Sequence, residues 1–130
     1  MNTPTIPAEL GMTVEQVCDL SLECWRLGRL AEDLKDSKEG AGIRHAVRRI
    51  SKTLEEIGIA VVDFTGRTYD PGMVPEVIEV QEYQGLPDGH AIVEETISPT
   101  VTLCGQVVKS GQIIVKRSPV TPQEYGKVLE

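Results

Sequence analysis

The sequence predicts an α+β protein: an amino-terminal helical hairpin that pairs with a second copy as a dimeric four-helix bundle, then a small all-β domain of short strands. Three observations carry this. Up to residue 57 the apolar residues recur at steps of three and four. At Gly58 that rhythm stops, and from Ile59 the period is two. The second half is then cut up by turn residues, among them Thr65-Gly66, Leu86-Pro87-Asp88-Gly89 and Ser110-Gly111. The expected boundaries are a flexible arm over 1–12, a helical dimerisation region over 13–57, a β-domain over 58–117 and a loose tail over 118–130.

The arm holds prolines and no periodicity. Thr13-Val14-Glu15-Gln16 is a capping box, in which the Thr13 hydroxyl takes a free first-turn amide and Gln16 reaches back. From there Val17, Leu20, Cys24, Leu27, Ala31 and Leu34 form one helical stripe. Gly28 inside it costs roughly 1 kcal/mol and marks either a kink or a close helix contact. Lys38-Glu39-Gly40-Ala41-Gly42 breaks the pattern. A second helix then carries Ile43, Val47, Ile50, Leu54 and Ile57, closed by Gly58 in the left-handed conformation.

A lone hairpin leaves much of each stripe wet, and each large apolar side chain is worth roughly 1.5–3 kcal/mol when buried. Leu20, Leu27, Leu34, Val47, Ile50 and Leu54 are therefore expected at the interface of a homodimer. The alternative is that the β-part folds back over both stripes. Expected strands are Ile59–Phe64, Glu76–Gln81, His90–Ile97, Thr100–Val108 and Gln112–Lys116, with Ser110-Gly111 as a tight turn between the last two.

Composition narrows the function. Hydrophobic residues are 40% but aromatics 4%, so the core is built from Val, Ile and Leu with Trp25 and Phe64 as isolated large members. A net charge of −7 argues against nucleic acid. The basic cluster Arg44, His45, Arg48, Arg49 and Lys52 reads as a solvated helix face or a partner for Glu32, Asp33 and Asp36. Cys18, Cys24 and Cys104 have no C-x-x-C spacing and read as buried thiols in a reducing cytosol. No apolar run approaches the roughly 20 residues of a membrane span, and Met1-Asn2-Thr3-Pro4 does not begin a secretory signal; a cytoplasmic location is expected. His45 and His90 have no ligand-spaced neighbours, so neither a metal nor a cofactor is expected. With no nucleophile elbow, phosphate loop or dinucleotide fingerprint, an enzyme is not expected either.

One ordered set of motifs points further. Gly42-Ile43, Glu55-Glu56-Ile57-Gly58-Ile59, Tyr69-Asp70-Pro71, Pro87-Asp88-Gly89 and Thr102-Leu103-Cys104-Gly105-Gln106 with Val108-Lys109 follow one another from Gly42 to Val115. This run resembles the carboxy-terminal part of the GrpE family, the nucleotide exchange factors of DnaK-type chaperones. The resemblance covers the opening of the last bundle helix, the helix-to-strand junction, the Asp-Pro unit, the proline-glycine turn and the closing hairpin. It implies a β-domain that grips the chaperone's nucleotide-binding domain through Tyr69, Pro71, Ile97, Gln106, Lys109 and Val115, with Gly42 near the helical contact.

The chain also departs from the family pattern. Val74 stands where a histidine is usual, and Gln106 and Lys109 replace arginines, losing the bidentate fork. The long amino-terminal coiled coil has no counterpart ahead of Met12. The resemblance thus implies a short, divergent member matched to a divergent DnaK-type ATPase. The alternative is a GrpE-fold binding or assembly module that has lost exchange activity.

Overall fold

The computed structural model describes residues 5–119. Residues 5–12 are exposed and form neither helix nor strand; the rest of the expected arm, 1–4, lies outside the described residues. Helix α1 (Val14–Glu32) opens on the expected capping box: the Gln16 N–H donates to Thr13 Oγ1 at 3.0 Å and the Thr13 N–H to Gln16 Oε1 at 2.9 Å. Helix α2 (Lys38–Glu56) starts earlier than Ile43, and the glycines read as a break are inside it. The reason is Ser37, whose Oγ accepts the Gly40 N–H at 2.9 Å and caps the helix. Gly40 is needed there because a Cβ would collide with the Leu34 carbonyl. Gly58 ends α2 at φ 91°, as expected.

The helices meet along Cys24, Gly28 and Ala31. Cys24 Sγ lies 3.7 Å from Val47 O and 3.5 Å from Ser51 Oγ, and Arg44 donates to Ala31 O and Lys35 O. Gly28 marks a close contact, since a Cβ would stand 3.4 Å from Val47 Cγ1. Arg44 therefore caps the carbonyl end of α1 instead of pairing with Glu32, Asp33 or Asp36.

Six strands follow among the described residues: β1 (Ile59–Val62), β2 (Glu76–Glu82), β3 (Ala91–Ser98), β4 (Thr100–Leu103), β5 (Gln106–Lys109) and β6 (Gln112–Arg117). They form two three-stranded sheets, ordered β1-β4-β5 and β2-β6-β3. All pairs are antiparallel except β2 with β6. The helices cover the first sheet, and Cys18, Leu22, Ile59 and Val101 form the core between them, with Leu54 packed against it. Val93, Ile113 and Val115 form a second core under Phe64, Tyr69 and Met73.

Two turns differ from expectation. The span Thr100–Val108 is two strands joined at Cys104 (φ 50°) and Gly105 (φ 83°), a two-residue hairpin loop with both central residues left-handed. Cysteine carries no turn signal, which is why the sequence reads as continuous there. Cys104 is also exposed, unlike Cys18 and Cys24. Ser110-Gly111 does not close a hairpin, because β5 and β6 belong to different sheets. Gly111 is the buried crossing: its N–H donates to Thr100 Oγ1 at 3.0 Å, and a Cβ would collide with the Ser98 carbonyl.

The expected tail is anchored at its start. Ser118 is buried, its N–H donating to His90 O and its Oγ accepting the Gly89 N–H; residues 120–130 of that expectation lie outside the described residues.

A polar latch joins α1 to the second sheet. Trp25 Nε1 donates to Asp63 Oδ2 at 3.1 Å, and Arg29 donates to Thr96 O at 2.8 Å and Glu95 Oε1 at 3.2 Å. The Arg29 guanidinium lies 4.7 Å from the Trp25 ring centre, within cation–π range. Thr96 is fully buried; its Oγ1 accepts the Phe64 N–H at 3.0 Å and meets Thr65 Oγ1 at 3.1 Å.

Candidate functional site

The residues expected to grip a partner fall in separate places. Tyr69, Pro71 and Val115 come together on the second sheet. In β6 the side chains of Ile113, Val115 and Arg117 share a face; register adds Val77, Val80 and Glu82 from β2 and Ala91, Val93 and Thr96 from β3. Phe64, Tyr69 and Met73 cover one end of this face. The other end is an open groove of about 1010 Å³, lined by Val77, Val80, Ala91 and Val115 together with Tyr69, Pro71, Gly89 and Ser118. Val115 is 2% exposed and belongs to the core beneath, while Pro71 is exposed. Tyr69 is half-buried, its N–H donating to Ala91 O at 2.9 Å.

Gln106 and Lys109 are exposed at the two ends of β5, in the other sheet. Ile97, near the end of β3, is 38% exposed. Gly42 is on α2, exposed, with no heavy atom within 4 Å of where a Cβ would stand.

The expected dimerisation residues also divide. Val47 and Leu54 are half-buried within the chain, against Gly28 and the first core. Leu20, Leu27, Leu34 and Ile50 are between 44% and 51% exposed, and Ile57 at 53% and Leu30 at 63% are more so. At 100° per residue, Leu20, Leu27 and Leu30 flank the seam on the side away from Cys18, Leu22, Trp25 and Arg29, which face the sheets. The same construction on antiparallel α2 puts Ile43, Ile50 and Ile57 on that side too. The hairpin thus has one face against strands and the opposite face carrying two apolar rows at seven-residue spacing.

Electrostatically the latch stands out. Burial by itself would raise the Asp63 pKa. Hydrogen bonds from the Thr65 N–H and hydroxyl, the Thr96 hydroxyl and the Trp25 indole outweigh it and hold the carboxyl below its ordinary value. Among the described residues no group of three His, Cys, Asp or Glu side chains is placed to hold a metal ion, and no helix is long and apolar enough to cross a membrane.

The groove, the outer apolar rows and the latch all depend on long-range placement; of their members, Leu30, Val77, Val80 and Arg29 were not singled out by sequence reasoning. The polar–apolar alternation of Glu76–Gln81 marks a half-exposed strand but not a groove. No protein-family model matches the chain, and no curated protein matches it.

Proposed function

We propose that this chain is a GrpE-like nucleotide exchange factor, acting as a homodimer on a divergent DnaK-type chaperone ATPase. The observation that carries the reading is the architecture around Gly58. A helical hairpin passes without a linker into two small sheets, the order that the Gly42–Val115 motifs imply, and the hairpin keeps apolar rows on the face that the strands leave bare. The Trp25–Asp63 and Arg29–Thr96 bonds favour transmission of position from stalk to sheets, because they fix the β-part to α1.

The mechanism is differential binding. A β-part that fits an open arrangement of the ATPase lobes better than the closed one shifts the equilibrium towards opening, and ADP held between the lobes leaves faster. A coupling of about 1–3 kcal/mol corresponds to roughly 5–150-fold. The experiment is release of a fluorescent ADP from a DnaK-type ATPase of the same organism, followed as this protein is titrated in. The expected result is saturable acceleration; unchanged release over the range in which complex formation saturates would instead favour the module that binds without exchange, the reading that Gln106 and Val74 support.

A further inference from the structure

The outer edge of β2 and the groove beside it form one surface. In the sheet order β2-β6-β3, β2 pairs on one side alone, and no other described strand or bridge touches its outer edge. The Glu76 N–H donates to Gly111 O and the Tyr83 N–H to Arg117 O, so both face β6. By the alternation of a parallel pair, the backbone groups of Val80 and Glu82 face outwards. Such an edge is a template for another strand. Its side chains say which one. On the groove face β2 presents Val77 and Val80; on the opposite face it presents Glu76 and Glu79, both exposed. The described residues supply no cation to either carboxylate.

A charged edge can be merely a guard against self-pairing. A guard needs no groove, however, and here the apolar residues of the edge strand line one of about 1010 Å³, which Tyr69 and Pro71 also line. We infer that this surface binds an extended basic peptide segment by strand addition to β2. Alternate apolar side chains of the peptide enter the groove above Val77 and Val80, and the intervening lysines or arginines pair with Glu76 and Glu79 across the other face. The inference does not depend on nucleotide exchange, and its test involves no ATPase.

The probe is an acetylated, amidated peptide of about eight residues alternating valine and lysine, long enough to match one strand. Binding is followed by calorimetry, and by amide exchange over Val77–Glu82. Saturable binding with slowed exchange at Val80 and Glu82 is expected. The corresponding valine–glutamate peptide should bind at least tenfold more weakly, and Glu76→Lys with Glu79→Lys should reverse that preference. Both positions are solvent-exposed, so the variant keeps the fold, which circular dichroism checks. N-methylation of the probe's central amides should abolish binding, because it removes the donors a ladder needs while keeping every side chain. Equal binding of the methylated peptide, equal binding of the two charge types, or no saturation would each overturn the inference. Protection of Val80 and Glu82 without any peptide would overturn it too, by showing the edge already filled by another copy or by the chain itself.

Discussion

Thr96→Val is the sharpest probe of how the β-part is held. Valine matches threonine in shape and in strand propensity, so the change isolates the hydroxyl. Thr96 is fully buried, and its Oγ1 accepts the Phe64 N–H at 3.0 Å where the chain leaves β1. Without it that amide has no acceptor, which costs about 1–3 kcal/mol in a buried setting. The link to Thr65 Oγ1 at 3.1 Å is lost as well, at about 0.5–1.5 kcal/mol. The expected loss is about 2–3 kcal/mol, a large part of the ~5–15 kcal/mol typical of a domain. Urea unfolding followed by far-ultraviolet circular dichroism measures it. Because the two hydroxyls meet each other at 3.1 Å, a cycle with Thr65→Val should show coupling of about 1 kcal/mol. A Thr96→Val protein within ~0.5 kcal/mol of wild type would refute the Thr96 hydroxyl as an anchor between the end of β1 and β3.

Other positions give independent checks. Asp63 has a lowered folded pKa, so its charge contributes stability that is fully present above the ordinary unfolded value near ~3.9 and is lost as pH falls through the folded one. Asp63→Asn should therefore be less stable than wild type at neutral pH, with a gap that narrows on acidification; a gap that widens in acid contradicts the sign. Gly42→Ala removes a helix-interior glycine with open space around it and should stabilise by about 1 kcal/mol in thermal melts. If Gly42 also touches the ATPase, the stabilised variant should exchange nucleotide more slowly, and an unchanged rate removes it from the contact. Gly111→Ala should cost about 2–3 kcal/mol in the same melts, since its Cβ meets the Ser98 and Pro99 backbone where the sheets cross.

What the sequence made legible was local. Thr13 with Gln16, Gly58 and the change of period at Ile59 are each fixed by neighbours a few residues away, and each is where the residues place it. The start of α2 was hidden because two glycines outweigh one serine on propensity, whereas a single side-chain cap offsets them in the folded chain. The Cys104-Gly105 turn was hidden because cysteine can take a left-handed conformation without advertising it. Partnership between distant segments was not readable at all. Nothing near Gln112 announces that β6 lies between β2 and β3, or that Arg29 reaches the Thr96 carbonyl. The groove is visible only once that strand order is known; Tyr69 and Pro71 enter through the family resemblance, which assigns no role to Val77 and Val80.

The two faces of the hairpin decide how a dimer would be tested. Sequence spacing treats Ile50 and Leu54 as equivalent stripe residues, but Leu54 packs on Cys18, Leu22, Ile59 and Val101, whereas Ile50 is 44% exposed on the bare side. Leu54→Asp would put a carboxylate against an apolar core and unfold the monomer, so loss of association there says nothing of the interface. Ile50→Asp leaves the monomer intact. In the proposed bundle it places one carboxylate from each copy in the apolar seam, where the desolvation of unpaired charges costs several kcal/mol per ion. Because the bare face is opposite the sheets, two hairpins joined through it leave both β-parts outside the bundle, free to meet an ATPase. Sedimentation at micromolar concentration should therefore give a dimer for wild type and a folded monomer for Ile50→Asp; a wild-type monomer, or an Ile50→Asp dimer as stable as wild type, removes the bundle and with it the paired presentation of the sheets.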